Sequence, residues 1–215
     1  MDRVKALLIS EKPVKWIFYG DSITHGALHT FGCRDYVELF AERVRFELDR
    51  TMDVIINTAI SGDTSRSLLE GLNWRVAQFR PDVVFVMIGM NDCDRQNGII
   101  LEEFRSNLNS LVQQIGDIGA LAVLQTTCPI LPDLFPERET HFARYMDAIR
   151  HVACDHELPL IDHAHYWKEQ PESHFFWMSN SLHANAYGHR AFAMCLFQSL
   201  DIYDRKSQTC RLHLP

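Results

Sequence analysis

A chain of 215 residues, 47% hydrophobic and 23% charged, has enough apolar material for one large domain with a substantial core. Its 28 acidic side chains outweigh 21 basic ones, a formal charge of -7 that argues against a nucleic-acid binder with its basic stripe. The apolar run Ala6-Leu7-Leu8-Ile9 is too short for a signal-peptide core and 83–88 is far below spanning length, so the expectation is a cytoplasmic protein without membrane contact.

The first predicted strand, 15–19, closes on Gly20-Asp21-Ser22-Ile23. Gly20 lets the chain turn sharply and present Ser22 at a sheet edge, where open α/β sheets bind ligands. Asp35 caps a predicted helix over 35–48. A second strand, 54–58, runs into Ser61-Gly62-Asp63-Thr64-Ser65, in which Asp63 or Thr64 caps a helix over 64–78. Pro81 precedes the third strand, 83–88, which ends in Gly89-Met90-Asn91-Asp92. After a helix over 101–118 and a fourth strand, 121–126, Pro129 and Pro132 break the chain, so 128–137 reads as a loop over the same edge. A helix over 138–156, a fifth strand over 158–161, the segment Asn180-Ser181-Leu182-His183 and a helix over 186–198 complete the pattern.

Each predicted strand is short and almost wholly apolar, as where helices cover both faces. Their alternation with helices implies a parallel sheet with right-handed crossovers. No repeat or linker interrupts it, so the expectation is one α/β domain of three layers over 1–215, with its core at about 15–198. The six cysteines (33, 93, 128, 154, 195, 210) form no Cys-x-x-Cys pair and read as scattered reduced thiols.

In a parallel sheet the strand ends lie on one side, so these distant segments can converge. Ester hydrolysis needs a nucleophile, a base, a group that orients the base, and donors for the oxyanion. Ser22 can supply the first and His183 the second. The backbone N–H groups of Ser22 and Gly62 and the side-chain amide of Asn91 can supply the donors. The four blocks, in this order, resemble those of the SGNH hydrolases, also called the GDSL esterase/lipase family. The resemblance spans roughly 15–198 and implies a flavodoxin-like α/β/α sandwich with a five-stranded parallel sheet. It implies Ser22 as nucleophile, His183 as base, and Ser22, Gly62 and Asn91 as the oxyanion hole, with no metal or organic cofactor.

One position departs from that pattern. The family usually has Asp three residues before the histidine, where this chain has Asn180, and a common following Pro is Ala184. An Asn carbonyl can fix the imidazole tautomer but brings no negative charge. In a serine-protease triad the acid-to-amide change costs roughly 10⁴ in kcat. The alternatives are Asn180 as orienter, another acid such as Glu172 or Asp162, a weakened site, or an Asn that traps substrate. The expected activity is hydrolysis of short-chain esters through an acyl-enzyme, with O-acetyl groups on a carbohydrate or small metabolite first. A lysophospholipase or thioesterase, or a silent ligand-binding protein, are the alternatives.

Other clusters carry competing readings. Asp162-His163-Ala164-His165 has a His-x-His metal spacing without further ligands, and reads better as a strand end with loop histidines. Cys93 reads as a buried structural thiol. His25 and Arg34 lie near the nucleophile turn, and Phe175-Phe176-Trp177-Met178 can wall a pocket or pack in the core. No phosphate-binding loop or dinucleotide fingerprint follows the first strand, so the expected partner is a small ester.

Overall fold

The computed structural model describes residues 1–26, 28–132 and 135–211. Five strands form one sheet: β1 (Lys15–Gly20), β2 (Val54–Asn57), β3 (Val83–Met87), β4 (Leu121–Gln125) and β5 (Leu160–Ile161), in the order β2-β1-β3-β4-β5. Every pairing is parallel. β3 and β4 are buried along their whole length, as their apolar runs require, and Gln125 at the end of β4 meets Tyr36 and His163. The register sets Phe18 beside Phe85, with the two rings stacked 4.6 Å apart, and Trp16 and Phe40 close the cluster edge-on.

Nine α-helices are described: α1 (Asp2–Ile9), α2 (Ser22–His25), α3 (Tyr36–Glu42), α4 (Ser65–Arg75), α5 (Leu101–Asp117), α6 (Pro136–Asp155), α7 (His163–Lys168), α8 (His174–Trp177) and α9 (Ala186–Ser199). Right-handed crossovers place α3, which steps from β1 out to β2, on one face. They place α4, α5 and α6, which step the other way, on the opposite face. Contacts agree, since α9 packs on α3 while α5 packs on both α4 and α6. The result is the expected three-layer α/β/α sandwich. No described helix is long and apolar enough to cross a membrane.

Order reverses between β1 and β3, so the chain leaves their C-terminal ends in opposite directions and opens a crevice there. Gly20 ends β1 at this point, and a Cβ on it would lie 2.3 Å from the Met87 carbonyl oxygen. Glycine is required by that close approach, which keeps the two strand ends together.

Several boundaries differ from the sequence reading. The helix expected over 35–48 begins with the foreseen Asp35 cap, a capping box with Glu38, but turns π-helical over Arg43–Glu47. Thr64 rather than Asp63 caps α4. β5 is two residues long, because Pro159 has no N–H to give the ladder. The amphipathic α1, which buries Val4 and Leu8, and the short α2, α7 and α8 were not expected. Of the loop expected over 128–137, residues 133 and 134 lie outside the described residues, and α6 already starts at Pro136.

Candidate active site

The turn after β1 is built by Asp21, whose buried carboxylate accepts the Ile23 N–H at 3.0 Å and caps α2. Ser22 therefore sits in the first turn of that helix, only 9% exposed, with its hydroxyl facing the crevice. Burial pushes the Asp21 carboxyl up to about 7. Asn57, at the end of β2, donates to the Thr24 carbonyl at 2.8 Å and ties the adjacent strand to this helix.

The Gly62 loop is joined to the same turn. Ile60 N–H donates to the Gly20 carbonyl at 3.1 Å, and His25 Nδ1 lies 3.0 Å from Ser61 Oγ. Gly62 has φ of 89°, the left-handed conformation that favours glycine, and a Cβ there would meet nothing within 4 Å. Buried Arg75 of α4 anchors the loop from below: its Nε and Nη2 donate to the Thr58 carbonyl at 2.9 and 2.6 Å, and Nη1 pairs with Asp63. Asn91 Nδ2 then donates to the Asp63 carbonyl at 2.8 Å, next to Gly62, and retains a second amide hydrogen. Asp92 accepts the Ser65 N–H at 2.8 Å, while its other carboxyl oxygen is buried without a partner among the described residues. Burial pushes the Asp92 carboxyl up to about 6. The Ser22, Gly62 and Asn91 segments are thus mutually bonded, and neither the Ser22 nor the Gly62 N–H is engaged by another described residue.

His183 arrives on a narrow chain reversal closed by a bridge between Met178 and Ala184. Ser179 N–H donates to the His183 carbonyl at 2.8 Å and Asn185 N–H to the Trp177 carbonyl at 2.9 Å. Leu131 N–H reaches the Ser181 carbonyl at 2.9 Å, docking the reversal on the chain beyond β4. His183 Nε2 lies 2.8 Å from Ser22 Oγ, and its Nδ1 lies 3.0 Å from Asn180 Oδ1. Asn180 Oδ1 also accepts the N–H groups of Leu182 and His183, at 2.9 and 3.0 Å. Two backbone donors can face only the oxygen of that amide, so its orientation is determined. The oxygen must take its third hydrogen bond from Nδ1–H, which leaves the Nε2 lone pair for Ser22. Burial, with the positive fields of His29 and Arg138, pushes His183 down to about 4.

The acids weighed against Asn180 are engaged elsewhere or do not touch the imidazole. Asp162 caps α7 and takes Arg150 at 2.8 and 2.9 Å, while Glu172 is exposed. The histidines of the same cluster diverge. His163 is buried, 3.0 Å from Gln125 Oε1, whereas His165 is exposed. Cys93 is buried, and that burial pushes its thiol up to about 12. Arg34 is paired with Glu42. Of the aromatic segment, Trp177 and Met178 are core, whereas Phe175 and Phe176 are exposed. Sequence reasoning missed His29, whose ring lies on that of His183 with centroids 3.7 Å apart and planes 7° from parallel. Nothing in the pattern around it signals that contact.

A sequence model of the GDSL-like lipase/acylhydrolase family matches residues 18–191. Among solved structures the chain is similar to LAE5, an alpha/beta hydrolase enzyme from the metagenome of Lake Arreo, Spain. The TM-score is 0.77 at 24% identity, covering 89% of this chain and 96% of that one. It is also similar to Axe2, an acetylxylan esterase from Geobacillus stearothermophilus, with a TM-score of 0.74 at 23% identity over 87% of this chain and 94% of that one. Identities at this level speak for the fold. By sequence, the chain is 32% identical over 100 residues to an uncharacterized protein of Mycoplasma pneumoniae, a match spanning 45% of this chain and 11% of that protein. It is 24% identical over 180 residues to the uncharacterized lipoprotein YqeF of Bacillus subtilis, over 71% and 70% of the two chains.

Proposed function

This chain belongs to the GDSL-like lipase/acylhydrolase family, a family of ester hydrolases, and from that premise we propose a serine esterase acting through Ser22, His183 and Asn180 on short-chain esters. The observation that carries this reading is the unbroken hydrogen-bonded line from Ser22 Oγ through the His183 ring to Asn180 Oδ1. Ser22 Oγ attacks the ester carbonyl while His183 Nε2 takes its proton. The developing oxyanion accepts from the Ser22 and Gly62 N–H groups and the Asn91 amide. The imidazolium protonates the departing alkoxide as the C–O bond breaks. Water, deprotonated by the same ring, then cleaves the acyl-enzyme and restores Ser22.

Asn180 is compatible with turnover. The acid-to-amide loss in serine proteases arises from the wrong tautomer. Here the two backbone donors on Oδ1 prevent the amide from turning its NH₂ toward the ring. What the amide withholds is charge, not orientation, which weighs against a silent binding protein.

The proposed substrates are O-acetyl groups on a carbohydrate or small metabolite. The fold shared with an acetylxylan esterase supports that class. A panel of acetylated sugars set against p-nitrophenyl esters from acetyl to palmitoyl and against lysophospholipids tests it. Preference for acetyl donors is the expected result, and turnover confined to long chains overturns it.

His183 depressed to about 4 is neutral, and so competent as a base, at every pH well above that value. The acidic limb of kcat/KM is therefore expected near pH 4, not near 6.5. Asn180→Asp adds a negative charge beside the ring, favours the imidazolium and moves this limb to higher pH. A unit-charge pair a few ångströms apart is worth about 1 kcal/mol even at the dielectric of water, so a five- to tenfold gain in kcat is expected at pH 8. Steady-state pH profiles of both proteins check the limb and the gain.

A further inference from the structure

His29 follows the nucleophile turn by a few residues, yet its ring covers one face of the catalytic imidazole at 3.7 Å, almost parallel to it. His29 Nδ1 lies 3.3 Å from Ser179 Oγ, and that hydroxyl also reaches the His183 carbonyl at 3.3 Å. His29 is thus fastened to the chain reversal that carries the base. Ring rotation of His183 out of line with Ser22 and Asn180 would drive its edge into this neighbour. No carboxylate is bonded to either ring among the described residues. The chargeable groups whose fields couple to His183 are His29 itself, Arg138 on α6, which pairs with Asp94, and His189 on α9.

We propose that His29 is a positioning residue for the base, holding the His183 ring in line and offering the forming imidazolium a neutral aromatic face. This rests on the esterase reading above. A cation held against an aromatic face is favoured by the ring's π electrons. In a triad whose third member is an amide, that face provides part of the stabilisation that a carboxylate would otherwise give. The arrangement requires neutral His29, and burial lowers its pKa in the sense that keeps it so. If His29 were charged, it would oppose the imidazolium.

The test compares His29→Ala and His29→Phe with wild type by two readouts: kcat and KM for an acetyl ester, and the NMR titration of the His183 ring. His29→Ala is expected to lower kcat about tenfold with KM nearly unchanged. His29→Phe, which keeps the face, should recover kcat to within about threefold of wild type. The His183 titration should move to higher pH in His29→Phe, which removes the second chargeable ring and keeps the face, and lie lower in His29→Ala than in His29→Phe, because the face that favours the imidazolium is gone. An unchanged kcat in His29→Ala, a His29→Phe as impaired as the alanine variant, or a His183 titration no lower in His29→Ala than in His29→Phe overturns the proposal. The titration is independent of turnover. Coupled rings in a protein without esterase activity would overturn the esterase reading and His29's part in it, while an active enzyme with uncoupled rings would overturn His29's role alone.

Discussion

Ser22→Ala is expected to abolish labelling by a fluorophosphonate and to lower kcat for acetyl esters by up to about 10⁶, the scale on which a serine protease loses turnover with its nucleophile. Intact mass after labelling and steady-state kinetics measure the two effects. The fold should be indifferent to the change. Among the described residues Ser22 Oγ is bonded only to His183, and alanine is well suited to the first turn of α2. An unchanged melting temperature with absent labelling would therefore locate the loss in chemistry. His183→Ala should fall by a similar factor, and the double variant little further, because the two residues act as one unit. Labelling retained in Ser22→Ala would place the nucleophile elsewhere and overturn the reading. Absence of labelling in wild type would favour a ligand-binding protein with an idle crevice.

The frame of the sheet was legible because its strands are apolar on both faces. Trp16-Ile17-Phe18-Tyr19 and Val83-Val84-Phe85-Val86 read as buried strand by their shortness, their aromatic and β-branched residues and the turn residues that bound them. The site blocks were legible because they follow such strands. Elements whose order depends on tertiary partners were not. Trp74 is 59% exposed while Arg75 beside it is 3% exposed, the reverse of what hydrophobicity suggests. The buried guanidinium is compensated by Asp63 and the Thr58 carbonyl, two partners that only the folded loop assembles. The same holds for α7, where Asp162-His163-Ala164-His165 has a metal-like spacing but encodes a helix cap and a core histidine. Asn180 could be seen as a departure from the family pattern. Only its two backbone donors show why that departure preserves the tautomer. His29 had no signal at all, because a face-to-face contact between residues 29 and 183 leaves no local period.

Asn91→Ala is expected to lower kcat about 10²–10³, the effect of removing one oxyanion donor, with little change in KM. The expectation follows from how the amide is held. One Nδ2 hydrogen is fixed on the Asp63 carbonyl, so the group is set in place before substrate arrives and spends nothing on reorganisation when charge develops. The Asp63 carbonyl is itself restrained, since its side chain pairs with Arg75 and its neighbour Thr64 caps α4. Losing the Asn91 tie would also free the Gly62 loop, and the alanine variant alone does not separate the two effects. Asn91→Asp does. It keeps the size of the side chain but aims a charge at the Asp63 carbonyl and at the oxyanion, so it should fall at least as far as alanine. Recovery in Asn91→Asp at low pH, where a protonated carboxyl can donate, would assign the loss to the missing donor. A rise in KM with kcat intact would instead make Asn91 a ground-state binding residue, leaving the oxyanion to the two backbone N–H groups.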